Sequence, residues 1–236
     1  AIVIAGVALV PGFMNAFLVS SLLMDRQPKL TNIHSIHEPL TILIAAYNEE
    51  AGIYHSLEYI SRQTYAGPIK VIVVDNNSTD NTSAEVLRAN KDLDIKIKLL
   101  FEPQKGKFNA LNRGLESIET KYFIALDADT LTHKDGVAYL MARMKASPDN
   151  VIAVAGSMLV KNSRENFITK VQEWDYFLSI ASVKRMQGLY QGTLVAQGAF
   201  SLFKTKVIKE LGGWPEAIGE DIVVTWELLS QDEKVY

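Results

Sequence analysis

Ala1–Met24 contains no charged side chain. A hydrocarbon core about 30 Å thick takes roughly 20 apolar residues of helix to cross. The run therefore predicts a membrane-spanning helix over residues 1–24, kinked where Pro11, Gly12 and Asn15 interrupt it. No basic segment precedes it and no small-residue cleavage site clearly ends it, which disfavours a cleaved leader. Arg26 and Lys29 come next, and basic residues on that flank favour the inner side of the membrane. The remainder of the chain, joined through a polar linker over residues 25–39, is then expected to face the cytosol.

From residue 40 the pattern changes to short β-branched runs separated by helical stretches. The runs are Thr41–Ala46, Ile69–Asp75, Ile95–Phe101 and Tyr122–Asp127, short and rich in apolar residues. Strands of that kind, alternating with helices, belong to a parallel sheet covered on both faces, so residues 40–236 predict a doubly wound α/β domain. Helices are expected to open near Asn48-Glu49-Glu50 and Ser78-Thr79-Asp80, where acidic and hydroxyl side chains suit a helix N-terminus. Further on, Val151–Val160 and Leu194–Phe203 read as strands, and Arg164–Met186 as a helical stretch. The run Glu233–Tyr236 looks like the start of another strand, and the chain reads as a fragment of a longer protein.

Composition narrows the chemistry. The 24 basic and 27 acidic residues give a net charge of −3, which provides no basic field for nucleic acid. Cysteine is absent, which removes disulfides, thiolate nucleophiles and Cys-ligated metals.

Ligands of open α/β sheets bind beyond the carboxyl ends of the strands. Three polar clusters share that edge: Tyr47-Asn48-Glu49, Asp75-Asn76-Asn77 and Asp127-Ala128-Asp129. Two acids spaced by one residue at a strand end can share a hard divalent cation, or one of them can cap the helix expected near His133. Asp75 can accept bonds from a base or ribose, or form an Asx turn over Asn76–Thr79. Lys105-Gly106-Lys107 before a helix suits phosphate, although solvated lysines give the same pattern. Glu220-Asp221 opens the helical run Ile222–Ser230, either as capping acids or with one as a general base.

Taken in order, AAYNEE at 45–50, DNNSTDNT at 75–82, GKFNALNRG at 106–114, DADT at 127–130, QGAF at 197–200 and GED at 219–221 resemble the family 2 inverting glycosyltransferases. The likeness is strongest to the processive membrane synthases of cellulose, chitin, hyaluronan and poly-N-acetylglucosamine. It implies a GT-A fold, a UDP-sugar donor such as UDP-GlcNAc or UDP-Glc, a glycan acceptor, and a divalent metal, Mg2+ or Mn2+. It also implies a place at the inner plasma membrane, with accessory subunits of a synthase complex as further partners.

By motif position, the loop of Ala46, Tyr47 and Glu49 would hold the uracil together with Asp75, and Lys107 would lie near the diphosphate. Asp127 would touch the nucleotide and Asp129 would ligate the metal. Gln197 and Gly198 would border the acceptor sugar beside Glu220, and Asp221 would deprotonate the acceptor hydroxyl.

Two departures stand out. Gly219 occupies the position where the family commonly has Thr, and no Gln-x-x-Arg-Trp motif comes after the acidic pair. That motif is expected beyond Tyr236, which would leave this fragment inactive by itself. A nonprocessive transferase adding one sugar to a lipid or protein shares every donor-site feature. A membrane-tethered nucleotide-binding regulator and a nucleotidyltransferase are the rivals from other classes.

Overall fold

The computed structural model describes residues 5–24, 30, 32–190 and 192–236. The chain divides into two compact units, the N-terminal segment with Ser157–Leu194, and Leu30–Gly156 with Val195–Val235.

The larger unit is built on seven strands: β1 (Leu40–Ala46), β2 (Ile69–Asp75), β3 (Lys96–Phe101), β4 (Tyr122–Asp127), β5 (Val151–Ala155), β6 (Phe200–Lys204) and β7 (Lys234–Val235). Their order in the sheet is β3-β2-β1-β4-β6-β5-β7. The four expected strands β1 to β4 are parallel. β6 runs antiparallel to both β4 and β5, so the sheet is mixed rather than wholly parallel. β5 lacks a short crossover to its neighbour, because residues 156–199 intervene before β6 pairs with it.

β1 is buried along nearly its whole length, as its unbroken apolar sequence requires. Its helices bury Leu57 and Ile60 from Ile53–Ser61 and Leu111 and Leu115 from Lys107–Glu116. At the far side Phe123, Phe203 and Trp214 pack as an aromatic triad, with ring centroids 5.4 to 6.2 Å apart. Strand order reverses at β1: the chain builds β2 and β3 to one side, then returns to lay β4 on the other. A crevice beyond the carboxyl ends of strands at such a reversal is where α/β sheets bind ligands.

Several expected boundaries move. The first helix begins at Ile53 rather than at Asn48, because Asn48 takes a left-handed φ of 55° and spends its carboxamide on the next loop. The strand expected from Leu194 begins only at Phe200. Before it, the Ala196 and Gly198 N–H groups donate to Thr225 Oγ1 and Asp221 Oδ2 instead of to a ladder. The strand expected to reach Val160 ends at Ala155.

In the smaller unit a π-helical turn, Ala5–Leu9, leads into the helix Val10–Met24. Leu9, Phe13, Met14 and Leu23 are all more than half exposed. Among the described residues no helix is long and apolar enough to cross a membrane. The spanning helix expected over 1–24 is thus not seen as such; residues 1–4, and residues 25–29 of the linker, lie outside the described residues. The helical stretch expected over 164–186 consists of the helices Phe167–Tyr176 and Val183–Tyr190 joined by a π-helical segment, Phe177–Ser182. Asn166 opens it with a reciprocal capping box, accepting the Thr169 N–H while Thr169 Oγ1 accepts its own.

Candidate active site

The crevice is walled by two loops sewn together. Asn48 N–H donates to Ser78 Oγ at 3.1 Å, and Asn48 Oδ1 accepts the Thr79 N–H at 2.8 Å. Glu49 N–H reaches Thr82 Oγ1 at 2.8 Å, and Glu50 Oε2 accepts the Asn81 N–H at 2.8 Å. The loops after β1 and β2 therefore form one rigid edge, and Ala46 O accepts the Asn76 N–H at 2.8 Å beneath it.

Asp75 lies under this edge, 5% exposed. Its Oδ1 accepts the Ser78 N–H at 2.9 Å and its Oδ2 accepts the Ser83 hydroxyl. It forms the Asx turn and does not line the cavity, a place that Asn76 takes. Asn76, named from the sequence only as part of the Asp75-Asn76-Asn77 cluster, also braces the phosphate-side loop. Its Nδ2 donates to Gln104 O at 2.6 Å, and its Oδ1 accepts the Gly106 N–H at 2.8 Å.

Between these loops and β4 lies a cavity of about 480 Å³. Ala46, Tyr47, Glu49, Lys107, Asp127 and Asp129 all line it, so six of the seven expected donor-side residues converge. Lys105 also lines it, with Nζ 5.6 Å from the centre of the Tyr47 ring. Tyr47 is 46% exposed, leaving an aromatic face for a flat base.

Asp127 and Asp129 do not cap a helix: the next begins at Gly136 with Asp135 at its N-cap. Lys107 Nζ lies 2.7 Å from Asp127 Oδ1 and 3.5 Å from Glu220 Oε1. Burial pulls the Lys107 ammonium toward deprotonation, but Asp127, with Asp221 and Glu220 behind it, outweighs burial and holds its pKa above the ordinary lysine value. Glu49 is pushed up instead, by burial first and then by Asp129, Asp80 and Asp127. Negative charge thus accumulates on the Asp129 side of the cavity.

An all-oxygen donor set with excess negative charge fits a hard divalent cation. Among the described residues no group of three or more potential ligands comes together, so a cation held by Asp129 needs other oxygens, such as those of a diphosphate and water.

The remaining expected residues form a second cluster. Gly219 takes a left-handed φ of 78° and starts the helix Glu220–Ser230, with no side-chain cap. Asp221 therefore does not act as the cap; its Oδ2 accepts the Gly198 N–H at 2.7 Å. Burial raises the Asp221 pKa; the Gly198 bond and Lys107 oppose this, and Glu220 and Asp127 add to it. Thr225 ties the arrangement down, donating to Asp221 O at 2.6 Å and accepting the Ala196 N–H at 2.9 Å. Gln197 Oε1 is buried with no hydrogen-bond partner among the described residues.

Two clusters thus meet at one cation: Asp127 and the cavity on one side of Lys107, Glu220 and Asp221 on the other. A mixed sheet whose first four strands are parallel, with a crevice at their carboxyl ends, an Asp-Ala-Asp strand end and a separately held acid, is the arrangement of a GT-A type glycosyltransferase domain.

Residues 41–212 match the model of glycosyl transferase family 2, and the chain belongs to that family. It is 30% identical over 218 residues to a poly-beta-1,6-N-acetyl-D-glucosamine synthase of Staphylococcus epidermidis, covering 92% of this chain and 52% of that one. The corresponding synthase of Staphylococcus aureus is 31% identical over 206 residues, 87% of this chain and 48% of that one. The chain thus spans about half the length of the curated relatives it matches.

Among solved structures, a mannosyltransferase from Pyrobaculum calidifontis in complex with GDP-Man and Mn2+ has the same fold. Its TM-score is 0.73 at 24% identity, over 97% of this chain and 64% of that one. Staphylococcus aureus TarS 1-349 in complex with UDP superposes with a TM-score of 0.57 at 18% identity, over 80% of this chain and 54% of that one.

Proposed function

We propose that the protein transfers a sugar from UDP-GlcNAc or UDP-Glc to a growing glycan by a single inverting displacement, with Asp221 as the general base. The observation that carries this reading is the position of Lys107, between the cavity acid Asp127 and the Glu220-Asp221 pair. The poly-N-acetylglucosamine synthases among its relatives favour a polymer as the product. TarS, solved with UDP and with UDP-GlcNAc, favours uracil as the base.

In this mechanism Tyr47 stacks the base, and the Ala46–Glu49 loop with Asp75 behind it shapes the base site. Lys107 sets its charge beside the diphosphate, and Asp127 holds that ammonium in place. Asp129 would hold the divalent cation, Mg2+ or Mn2+, which supplies positive charge to the departing UDP.

Gly198 N–H donates to Asp221 Oδ2, and among the described residues no hydrogen bond is made to Oδ1, the oxygen that would take the acceptor proton. The acceptor oxygen then bonds to the anomeric carbon from the face opposite UDP, which leaves with the electron pair of the broken C–O bond. Gln197, Gly198 and Glu220 border the acceptor on this reading. The uncharged helix Val10–Met24, with Phe13, Met14 and Leu23 exposed, would form part of a membrane anchor that keeps the catalytic unit on the cytosolic side of the plasma membrane.

The test is to incubate the full-length protein with UDP-GlcNAc or UDP-Glc and a glycan acceptor and to identify the leaving group. Release of UDP is expected. Release of the sugar 1-phosphate, the leaving group when UMP is transferred, would assign a nucleotidyltransferase instead.

A further inference from the structure

Asn112 sits in the middle of the helix Lys107–Glu116, a place where asparagine is intrinsically unfavourable because its carboxamide competes with the helix backbone. Here the carboxamide is spent elsewhere. Nδ2 donates to Trp214 O at 2.8 Å, and Oδ1 accepts the Trp214 N–H at 2.8 Å. One side chain thus pairs with both backbone groups of a residue 102 positions away, as a strand neighbour would.

The surroundings hold this pairing in place. Gly213 has a left-handed φ of 85°, and a Cβ there would lie 2.2 Å from Asn112 Oδ1. The Trp214 ring is 3% exposed, wedged edge-on against Phe123 at 5.9 Å and Phe203 at 6.2 Å. Trp214 is therefore gripped twice, by the core at its ring and by Asn112 at its backbone. The chain leaving that anchor reaches Glu220 and Asp221, while Lys107 stands at the other end of the Asn112 grip, at the start of the same helix. A helix rises about 1.5 Å per residue, so Lys107 and Asn112 keep a fixed spacing along it.

We propose that Asn112 is a positioning residue of the transfer step: it holds the arm carrying Glu220 and Asp221 in register with Lys107. This rests on the proposed roles of Lys107 and Asp221. Removing the carboxamide orphans a part-buried N–H and C=O and frees the arm, while the cavity for the nucleotide, which neither Asn112 nor Trp214 lines, keeps its walls. Misplacement of a catalytic group by about 1 Å can cost on the order of 100-fold in rate.

The experiment compares Asn112→Ala and the isosteric Asn112→Asp with the parental full-length protein. UDP affinity is read by titration, and sugar transfer is read as UDP release at saturating donor, per UDP-binding site. Asn112→Ala is expected to lower kcat by about 10–100-fold with UDP affinity within about two-fold. Asn112→Asp, which still accepts the Trp214 N–H, is expected to fall between and decides the matter if the alanine variant does not fold. A residue that only supported the fold would reduce the number of binding sites but leave turnover per site at the parental value, and that result would overturn the proposal. So would a joint loss of affinity and turnover. A parental protein that releases no UDP would instead sink the function on which the proposal rests.

Discussion

Asp221 Oδ2 accepts the Gly198 N–H at 2.7 Å, and a Cβ built on Gly198 would lie 2.7 Å from both carboxylate oxygens of Asp221. Asp221, the proposed general base, and the residue that seats it are thus in contact across two motifs, QGAF and GED. Gly198 is needed for close approach rather than for an unusual backbone angle.

Gly198→Ala is therefore expected to displace the Asp221 carboxylate and to lower transfer by about 10–100-fold. UDP affinity should stay within about two-fold, since Gly198 does not line the nucleotide cavity. Parallel kinetics and UDP titration check this, and unchanged turnover would show that the carboxylate tolerates the methyl group.

Burial raises the Asp221 pKa above its ordinary value, so the folded state disfavours the ionised form that a base requires. Proton linkage gives the sign of the effect on stability. A carboxyl whose folded pKa exceeds its unfolded one costs stability at neutral pH, and the cost disappears as pH falls below the unfolded value. Asp221→Asn keeps an oxygen for the Gly198 N–H and removes the charge. It is expected to melt at a higher temperature than the parent at pH 7, with the difference shrinking under acid. In the parent, transfer should fall with acid through a pKa above the ordinary Asp value. Thermal melts and a pH–rate profile measure the two effects.

Asp129 and Asp127 contribute to the raised pKa of Glu49, so a cation on that side would relieve an existing repulsion. UDP should bind more tightly with Mn2+ present, and Asp129→Ala should remove most of that gain. Calorimetry with and without chelator provides the comparison. Equal affinity in both conditions would contradict the metal role of Asp129.

Much of the fold could be read along the chain. Unbroken apolar strands ending in Ala46, Asp75 and Asp127 announced the sheet edge, because a strand buried on both faces has no polar alternation to hide it. The direction of β6 could not be read, since its pairing with β4 is settled by a long connection and not by its own five residues. The lining role of Asn76 escaped because its carboxamide binds Gln104 and Gly106, some 30 positions on. Taken alone Asp75 suits an Asx turn better than a ligand, and its Oδ1 accepts the Ser78 N–H of that turn. From its place at a helix start Asp221 suits a cap better than a base. Only the fold brings Gly198 to its carboxylate and leaves the helix uncapped.

The base assignment has one direct measurement. In the full-length protein, Asp221→Asn should leave UDP affinity within a few-fold while lowering UDP release in the presence of acceptor by about 10²–10⁴, the usual worth of a positioned proton acceptor. Transfer by Asp221→Asn at close to the parental rate would contradict the assignment and leave Asp221 as no more than the partner of Gly198.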